Sequence, residues 1–219
     1  MAKSLALLQR HFSDIEAALA QELEILDLAR QGRAHLMIWE LQSWAVVLGY
    51  GRDEASDVDR QVCDAEGIAV VRRRSGGGTV LLGPGCLCYS LALPLQGDEH
   101  LRDIGSTNRW VLERVARALS RGNTQPVSVS GISDLTVGTR KIGGSAQRRT
   151  RDAVLWHGTL LYDFDLGRLQ RCLREPDRQP QYREKRRHED FVCNVPIGRN
   201  RLVELLTQAF DATQEPAIS

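Results

Sequence analysis

The sequence predicts an α+β fold, a mixed and largely antiparallel β-sheet flanked by helices. Three observations predict it. Strand-like apolar runs outnumber segments with helical periodicity. Most of those runs follow one another closely enough to be joined as hairpins, with turns at glycines and Pro84. The helical segments do not alternate regularly with strands, as a βαβ domain requires. The 219 residues, 42% hydrophobic and 26% charged, suit one globular domain or a large domain with a small appendage.

Taken in order, Ile15, Ala18, Leu19, Leu23, Leu26 and Leu28 recur at helical spacing. Ser13 as N-cap with Glu16 three positions on makes this a capping-box helix ending near Gly32. Ala34 to Glu40 reads as a strand, and so does Trp44 to Gly49, whose unbroken apolar character implies burial on both faces. Asp57 to Glu66 reads as a short helix closed by Gly67. Strands follow at Ile68–Arg73, Thr79–Leu82 and Leu87–Leu93. Asn108 to Leu119 is a second amphipathic helix, facing inward through Trp110, Leu112, Val115, Ala116 and Leu119. Val127–Val129, Asp134–Val137, Lys141–Gln147 and Val154–Tyr162 read as antiparallel strands with Arg148–Asp152 as a charged hairpin tip. The tail turns polar and basic from Asp163, and its run Arg183–His188 reads as a solvated face. A last helix spans Arg201 to Phe210. The organisation predicted is a body over residues 1–180 and a tail over 181–219 packed on it.

Formal net charge is +1, so any anion site has to be local, and neither nucleic acid nor membrane is an expected partner. No apolar run approaches the ~20 residues that span a bilayer. The basic start, Met1 to Ala6, runs into His11 and Asp14, so a cleaved leader is not expected. Cys63, Cys86, Cys88, Cys172 and Cys193 are odd in number and lack paired spacing; they read as reduced thiols of a cytoplasmic protein.

Three stretches carry chemistry. Arg72-Arg73-Arg74-Ser75-Gly76-Gly77-Gly78-Thr79-Val80 places three glycines between strands, which lets backbone N–H groups converge on an anion beside arginines. It lacks the lysine and hydroxyl of a Walker loop and the helix of a dinucleotide fold. Lys141-Ile142-Gly143-Gly144-Ser145-Ala146 sets one cation beside two glycines, in a strand where glycine also marks bulges. Leu155-Trp156-His157-Gly158-Thr159-Leu160-Leu161 places a histidine in an apolar strand with no second histidine near for a metal.

The order of these three motifs, with Asp134-Leu135 ahead of Lys141, resembles the lipoate–protein ligase family over about Leu19 to Asn194. The resemblance implies a class II synthetase-like, biotin/lipoate ligase-like catalytic domain. It implies that ATP activates lipoate or octanoate as an acyl-adenylate and that the acyl group passes to a lysine of a small lipoyl-carrier protein or domain (GcvH-like or an E2 lipoyl domain). It assigns Lys141 as the catalytic residue. It assigns Arg73, Ser75, Gly76, Gly77, Gly78, Val80, Asp134, Gly144, Ser145, Ala146, His157, Gly158 and Thr159 to the acyl-adenylate, the loop glycines lining it where any Cβ would clash. Mg²⁺ would arrive with ATP and be held by Asp134, directly or through water, with no permanently bound cofactor. The strand around Trp44 to Leu48 would line the acyl tunnel.

The sequence departs from the family pattern in places. Arg74 replaces a small residue, Ser133 replaces an asparagine, and Gly85-Cys86-Leu87-Cys88-Tyr89-Ser90 stands for a Gly-Asn-x-x-Tyr/Phe-Ser stretch. Many members carry a C-terminal accessory domain of roughly a hundred residues. Here only a helix or two follow, so either the short form suffices or a separate accessory subunit serves. The alternative activity is an octanoyltransferase drawing on acyl carrier protein through a cysteine thioester or by lysine-assisted direct transfer. The thioester route needs an exposed, low-pKa thiol, and none precedes Asp134. Biotin ligation ranks lower, because its Gly-Arg-Gly-Arg loop is missing, and a carrier-binding chain without activity is a further reading.

Overall fold

The computed structural model describes residues 5–176 and 179–214. The expectation that no cleaved leader begins the chain falls at Met1–Ser4, outside them, as do the last residues of the tail. β1 (Ala6–Phe12) leads into α1 (Ile15–Arg30), β2 (His35–Leu41) and β3 (Ala45–Leu48). Two short helices, α2 (Glu54–Asp57) and α3 (Arg60–Ala65), precede β4 (Ala69–Arg72), β5 (Val80–Leu82) and β6 (Cys86–Pro94). After α4 (Ile104–Ser120) comes a meander of β7 (Val127–Ser130), β8 (Asp134–Val137), β9 (Arg140–Arg149) and β10 (Ala153–Leu161). Then follow α5 (Leu166–Cys172), α6 (His188–Phe191), α7 (Arg199–Ala209) and β11 (Thr213–Gln214).

The main sheet runs β11-β1-β2-β6-β10-β9-β8-β7. Every pairing from β2 to β7 is antiparallel, while β1 is parallel to both of its neighbours. A smaller sheet, β4-β3-β5, has β3 at its centre, which buries all four of its residues as the apolar run required. The period-2 alternation of β6 and β10 sorts the core into two layers. Leu87, Tyr89, Leu91, Val154, Trp156 and Leu160 pack under α4 and α7. Cys86, Cys88, Ala92, Leu155 and Leu161 face α1 and the small sheet. The mixed, mostly antiparallel α+β architecture is the one the sequence predicted.

Local differences have local causes. Asp14, not Ser13, caps α1: it is extended, and its Oδ2 accepts from Ala17 N at 2.9 Å. The predicted helix over Asp57–Glu66 forms over Arg60–Ala65 as α3, and the separate turn α2 ends at Asp57; each has its own aspartate cap, Asp59 and Asp53. Val58 between them is extended and bridges to Leu173. α4 starts a turn earlier than its apolar stripe because Asp103 accepts from Ser106 N at 2.8 Å. The β9–β10 ladder continues to Arg149 opposite Val154, which narrows the charged tip to Thr150–Asp152. β1, β11 and α5 were not foreseen. All five cysteines are free thiols. No helix among the described residues is long and apolar enough to cross a membrane.

Candidate active site

The site lies between the two sheets, beneath α1, and begins at an irregularity. β8 and β9 pair Asp134 with Gly144 and Leu135 with Gly143, but Thr136 pairs with Lys141, so Ile142 is an extra residue. This β-bulge re-aims the strand. Ile142 is buried in the layer under α4, while Lys141 lines the cavity on the opposite face with Gly144. Lys141 Nζ then reaches Asp134 Oδ1 at 2.8 Å. A Cβ on Gly144 would stand 2.8 Å from that Nζ, and one on Gly143 would stand 2.0 Å from the carbonyl of Thr159. The bulge and the cation beside glycines, two readings of this stretch that looked like rivals, are one device.

The triple-glycine loop is built differently. Arg73 is only 7% exposed. Its Nη2 donates to the carbonyls of Gly76 (2.6 Å) and Gly78 (2.8 Å), and its Nη1 to that of Val47 (3.1 Å). Burial lowers its pKa to about 10, which leaves it charged at neutral pH. Its Nε donates to Ser75 Oγ at 2.9 Å, and Ser75 Oγ lies 2.7 Å from His157 Nε2. His157 Nδ1 lies 3.0 Å from both oxygens of Glu22, which also accepts from Ser90 Oγ at 2.6 Å. Burial pushes the Glu22 carboxyl up, but His157, Ser90 and Arg73 together take it below the usual carboxylate value. With Glu22 ionised, the network assigns the proton to Nδ1 and leaves Nε2 to accept from the Ser75 hydroxyl. A buried relay therefore ties α1 to the loop.

Two cavities meet at Lys141. A narrow tunnel of about 160 Å³ holds Asp134, Gly144, Thr159, Cys88 and Trp39 on its wall. Register places Trp39 opposite Cys88 and Cys88 opposite Thr159, and Gly144 N reaches Thr159 Oγ1 at 3.5 Å. These residues thus form one row across five strands, spanning about 19 Å at the usual strand spacing. Leu19, Val47, Val80 and Leu82 close the tunnel opposite the row. Of the predicted stretch Trp44–Leu48, Val47 is the lining residue; Trp44 instead packs on Phe164. The second cavity is a wider cleft of about 680 Å³, with Gly77, Gly78, Thr79, Lys141 and Arg183 among its lining.

That cleft is walled by residues read from sequence as a solvated face. Arg183 is 4% exposed, pairs with Glu175 and lies 4.7 Å over the Phe191 ring. Lys185 and Arg187 do stay exposed. Cys193 N donates to Lys141 O at 2.8 Å, and Tyr182 O–H donates to Asp134 Oδ2 at 2.6 Å. Arg52 grips Asp57 at the far rim, and its hydrogen bonds, joined by that of Thr79, hold the Asp57 carboxyl below its usual value.

Of the residues named from sequence, Lys141, Arg73, Gly77, Gly78, Val80, Asp134, Gly144, Ser145, Ala146, His157, Gly158 and Thr159 all line the tunnel. Ser75 lies behind His157 in a separate pocket under α1, and Gly76 lines none of these cavities. Of the three loop glycines, the protein itself excludes a Cβ at Gly77 alone, where φ is +85° and a Cβ would meet Arg73 Nη2 at 3.0 Å; Gly76 and Gly78 face open space. Sequence reasoning missed Glu22 and Tyr182. Glu22 had a signal: a carboxylate four residues from Ala18 and seven from Ile15, on the buried stripe of α1. Asp134 offers a single carboxylate, since no group of three or more metal-ligating side chains occurs among the described residues. A magnesium carried by a triphosphate takes most of its shell from phosphate and water, and one such carboxylate fits it.

Comparison with known proteins agrees with this architecture. Lipoate-protein ligase LplJ of Bacillus subtilis is 31% identical over 119 residues, 54% of this chain and 34% of that one. A bi-partite lipoate protein ligase from Thermoplasma acidophilum, described together with its E2 lipoyl domain, superposes with TM-score 0.78 at 21% identity, over 97% of this chain and 86% of that one. A lipoate-protein ligase A bound with ATP superposes with TM-score 0.78 at 24% identity, over 97% and 89%. At these identities the superpositions establish the fold. The chain spans about a third of the length of the curated relatives it matches first. Residues 14–212 match the family described as the lipoyl protein ligase A/B catalytic domain, and the chain belongs to that family.

Proposed function

We propose that the chain is an ATP-dependent lipoate–protein ligase acting on lipoate or octanoate. One observation carries the reading: a single ammonium, Lys141, stands where a narrow, largely apolar tunnel opens into a wider cleft floored by Gly77 and Gly78 and lined by Arg52, Arg174 and Arg183. A thin acyl chain suits the tunnel, with its carboxylate at Lys141, and a nucleotide suits the cleft. The carboxylate attacks the α-phosphate of ATP, the bond to the β-phosphate breaks, and pyrophosphate leaves. The amine of a carrier lysine then attacks the acyl carbon, and AMP leaves with the bonding electrons. Both steps build negative charge on oxygens around the mixed anhydride, and a preorganised cation there lowers both barriers. Mg²⁺, held with Asp134, would neutralise phosphate charge. Arg73, with most of its donors committed to the loop, fixes the floor rather than meeting the ligand as a free cation. Residues 181–214 are, on this reading, part of the catalytic unit. The carrier is a small lipoyl-carrier protein or domain.

The rival octanoyltransferase needs a nucleophilic thiolate on its thioester route. Cys88 is the thiol on the tunnel wall, and burial holds its pKa well above the usual thiol value. One assay separates the readings. Purified chain is given an apo-carrier with free octanoate or lipoate and ATP-Mg, with preformed octanoyl-adenylate, or with octanoyl acyl carrier protein. A ligase yields acyl-carrier, AMP and pyrophosphate from the first mixture. Transfer from the second mixture alone identifies a need for an accessory chain, such as the two-part Thermoplasma protein suggests. Transfer from the third alone, without ATP, overturns the ligase reading.

A further inference from the structure

Tyr182 stands on a single 3₁₀ turn, Gln181–Arg183, just before Glu184 and Lys185, whose φ values of 52° and 60° lie in the left-handed region. Side-chain-bearing residues rarely adopt that region twice in succession, so the turn has to be held from outside. It is held by Arg183, through Glu175 and the Phe191 ring, and by Arg186, whose Nη2 donates to the carbonyls of Tyr182 (2.8 Å) and Thr139 (3.1 Å). The Tyr182 ring packs 5.3 Å from that of Phe191, and the far side of the ring meets Gly131, where a Cβ would approach to 3.4 Å. The phenol is thereby aimed at Asp134. It donates to Oδ2 at 2.6 Å while Lys141 Nζ occupies Oδ1 at 2.8 Å. Burial, reinforced by the hydrogen bond to Asp134, pushes the phenol pKa up, so the donor keeps its proton.

We infer that Tyr182 is a positioning residue that acts on Lys141 through Asp134, both by anchoring the carboxylate and by keeping it satisfied when the ammonium leaves. The second half rests on the ligase reading, in which Lys141 must exchange Asp134 for the acyl-adenylate. Asp134 is 7% exposed, and a carboxylate whose paired ammonium turns away relies on the donors that remain. A charge-assisted donor that stays behind lowers the cost of that exchange. The first half does not depend on any ligand. Two donors share the charge of one carboxylate, so each holds it less tightly than it would alone, and the phenol loosens the Asp134–Lys141 pair.

Tyr182→Phe keeps the ring and its packing and removes only the hydroxyl. Two measurements test the inference. In carrier acylation, kcat falls about tenfold, the loss of one hydrogen bond to a charged group, while KM for the acyl acid stays put. In the absence of any ligand, mass spectrometry follows acetylation of Lys141 by acetic anhydride at alkaline pH. The variant reacts about threefold more slowly, because the undivided carboxylate keeps Nζ paired and away from the reagent. Adding Tyr182→Phe to Asp134→Asn changes neither the acetylation rate nor the affinity for a sulfamoyl analogue of octanoyl-adenylate, as a path through Asp134 requires. Wild-type acetylation in Tyr182→Phe, or an effect that persists undiminished on Asp134→Asn, overturns the inference. A Tyr182-dependent acetylation rate in a protein that ligates nothing supports the coupling and removes the ligase reading instead.

Discussion

Arg73 and Lys141 are both cations beside glycine pairs or triplets on the wall of one tunnel, yet they are built for different work. Arg73 is nearly buried and donates to three carbonyls and one hydroxyl of its own chain. Lys141 is 30% exposed at its side chain and has one carboxylate partner on the cavity wall. A guanidinium's fixed fork suits the first task, gripping several carbonyls at once, and a flexible ammonium suits the second, changing partners. The difference teaches that a cation in a motif is chemical or architectural according to how many of its donors the fold has already used.

Five substitutions sharpen or break that contrast. Arg73→Met strips three carbonyls of a donor and Glu22 of a nearby positive charge, and unfolding free energy falls by about 4 kcal/mol in urea denaturation; a loss below ~1 kcal/mol contradicts the architectural role. Lys141→Ala shows the converse pattern. Acyl transfer falls by two orders of magnitude, about 3 kcal/mol in the barrier, while stability changes by no more than ~1 kcal/mol because the ion pair opens on the cavity. Full activity in that variant breaks the mechanism. Glu22→Gln removes the anion that orients His157 and costs about 2 kcal/mol at neutral pH. The sign with pH follows from the lowered folded-state pKa: the Glu22 contribution is complete above the ordinary value of 4.5 and is lost as pH falls through the lower folded value. Wild type and Glu22→Gln therefore converge in urea midpoint as pH is taken below 4.5, and a gap that widens there contradicts the relay. Gly77→Ala, at φ +85° against Arg73, costs more than ~1 kcal/mol. Gly76→Ala, with nothing within 4 Å of its Cβ, stays within ~0.5 kcal/mol. Equal effects at the two positions contradict the account of the loop.

What could be read from sequence follows from how local the cause was. β8 spans Asp134–Val137 as its alternation implied, and β3 is buried throughout as its unbroken apolar run implied. β1 escaped because Leu7 is its one fully buried residue; its extended state comes from pairing with β2 and β11, not from its own pattern. In α1 the leucines drew attention to a stripe through Leu23 and Leu28, which are half-buried. The core takes Glu22, Ile25 and Ala29 instead, a small rotation of the helix set by what packs on it. The bulge at Ile142 was legible as a glycine signal but its consequence, turning Lys141 to the tunnel, depends on the partner strand. The segment around Tyr182 and Arg183 has no periodicity, and its charges read as solvated because Glu175 and Phe191 are brought against Arg183 only by the fold.

The account turns on Lys141 and the glycine loop closing around a mixed anhydride of acid and nucleotide. A crystal structure of the chain with a sulfamoyl analogue of octanoyl-adenylate tests it most directly. The predicted result has the octanoyl chain along the row from Thr159 to Trp39, the adenosine over Gly77 and Gly78, and Nζ of Lys141 moved from Asp134 to within about 3 Å of the sulfamoyl oxygens. An analogue bound elsewhere, or a lysine still on Asp134 and turned away from it, contradicts the account.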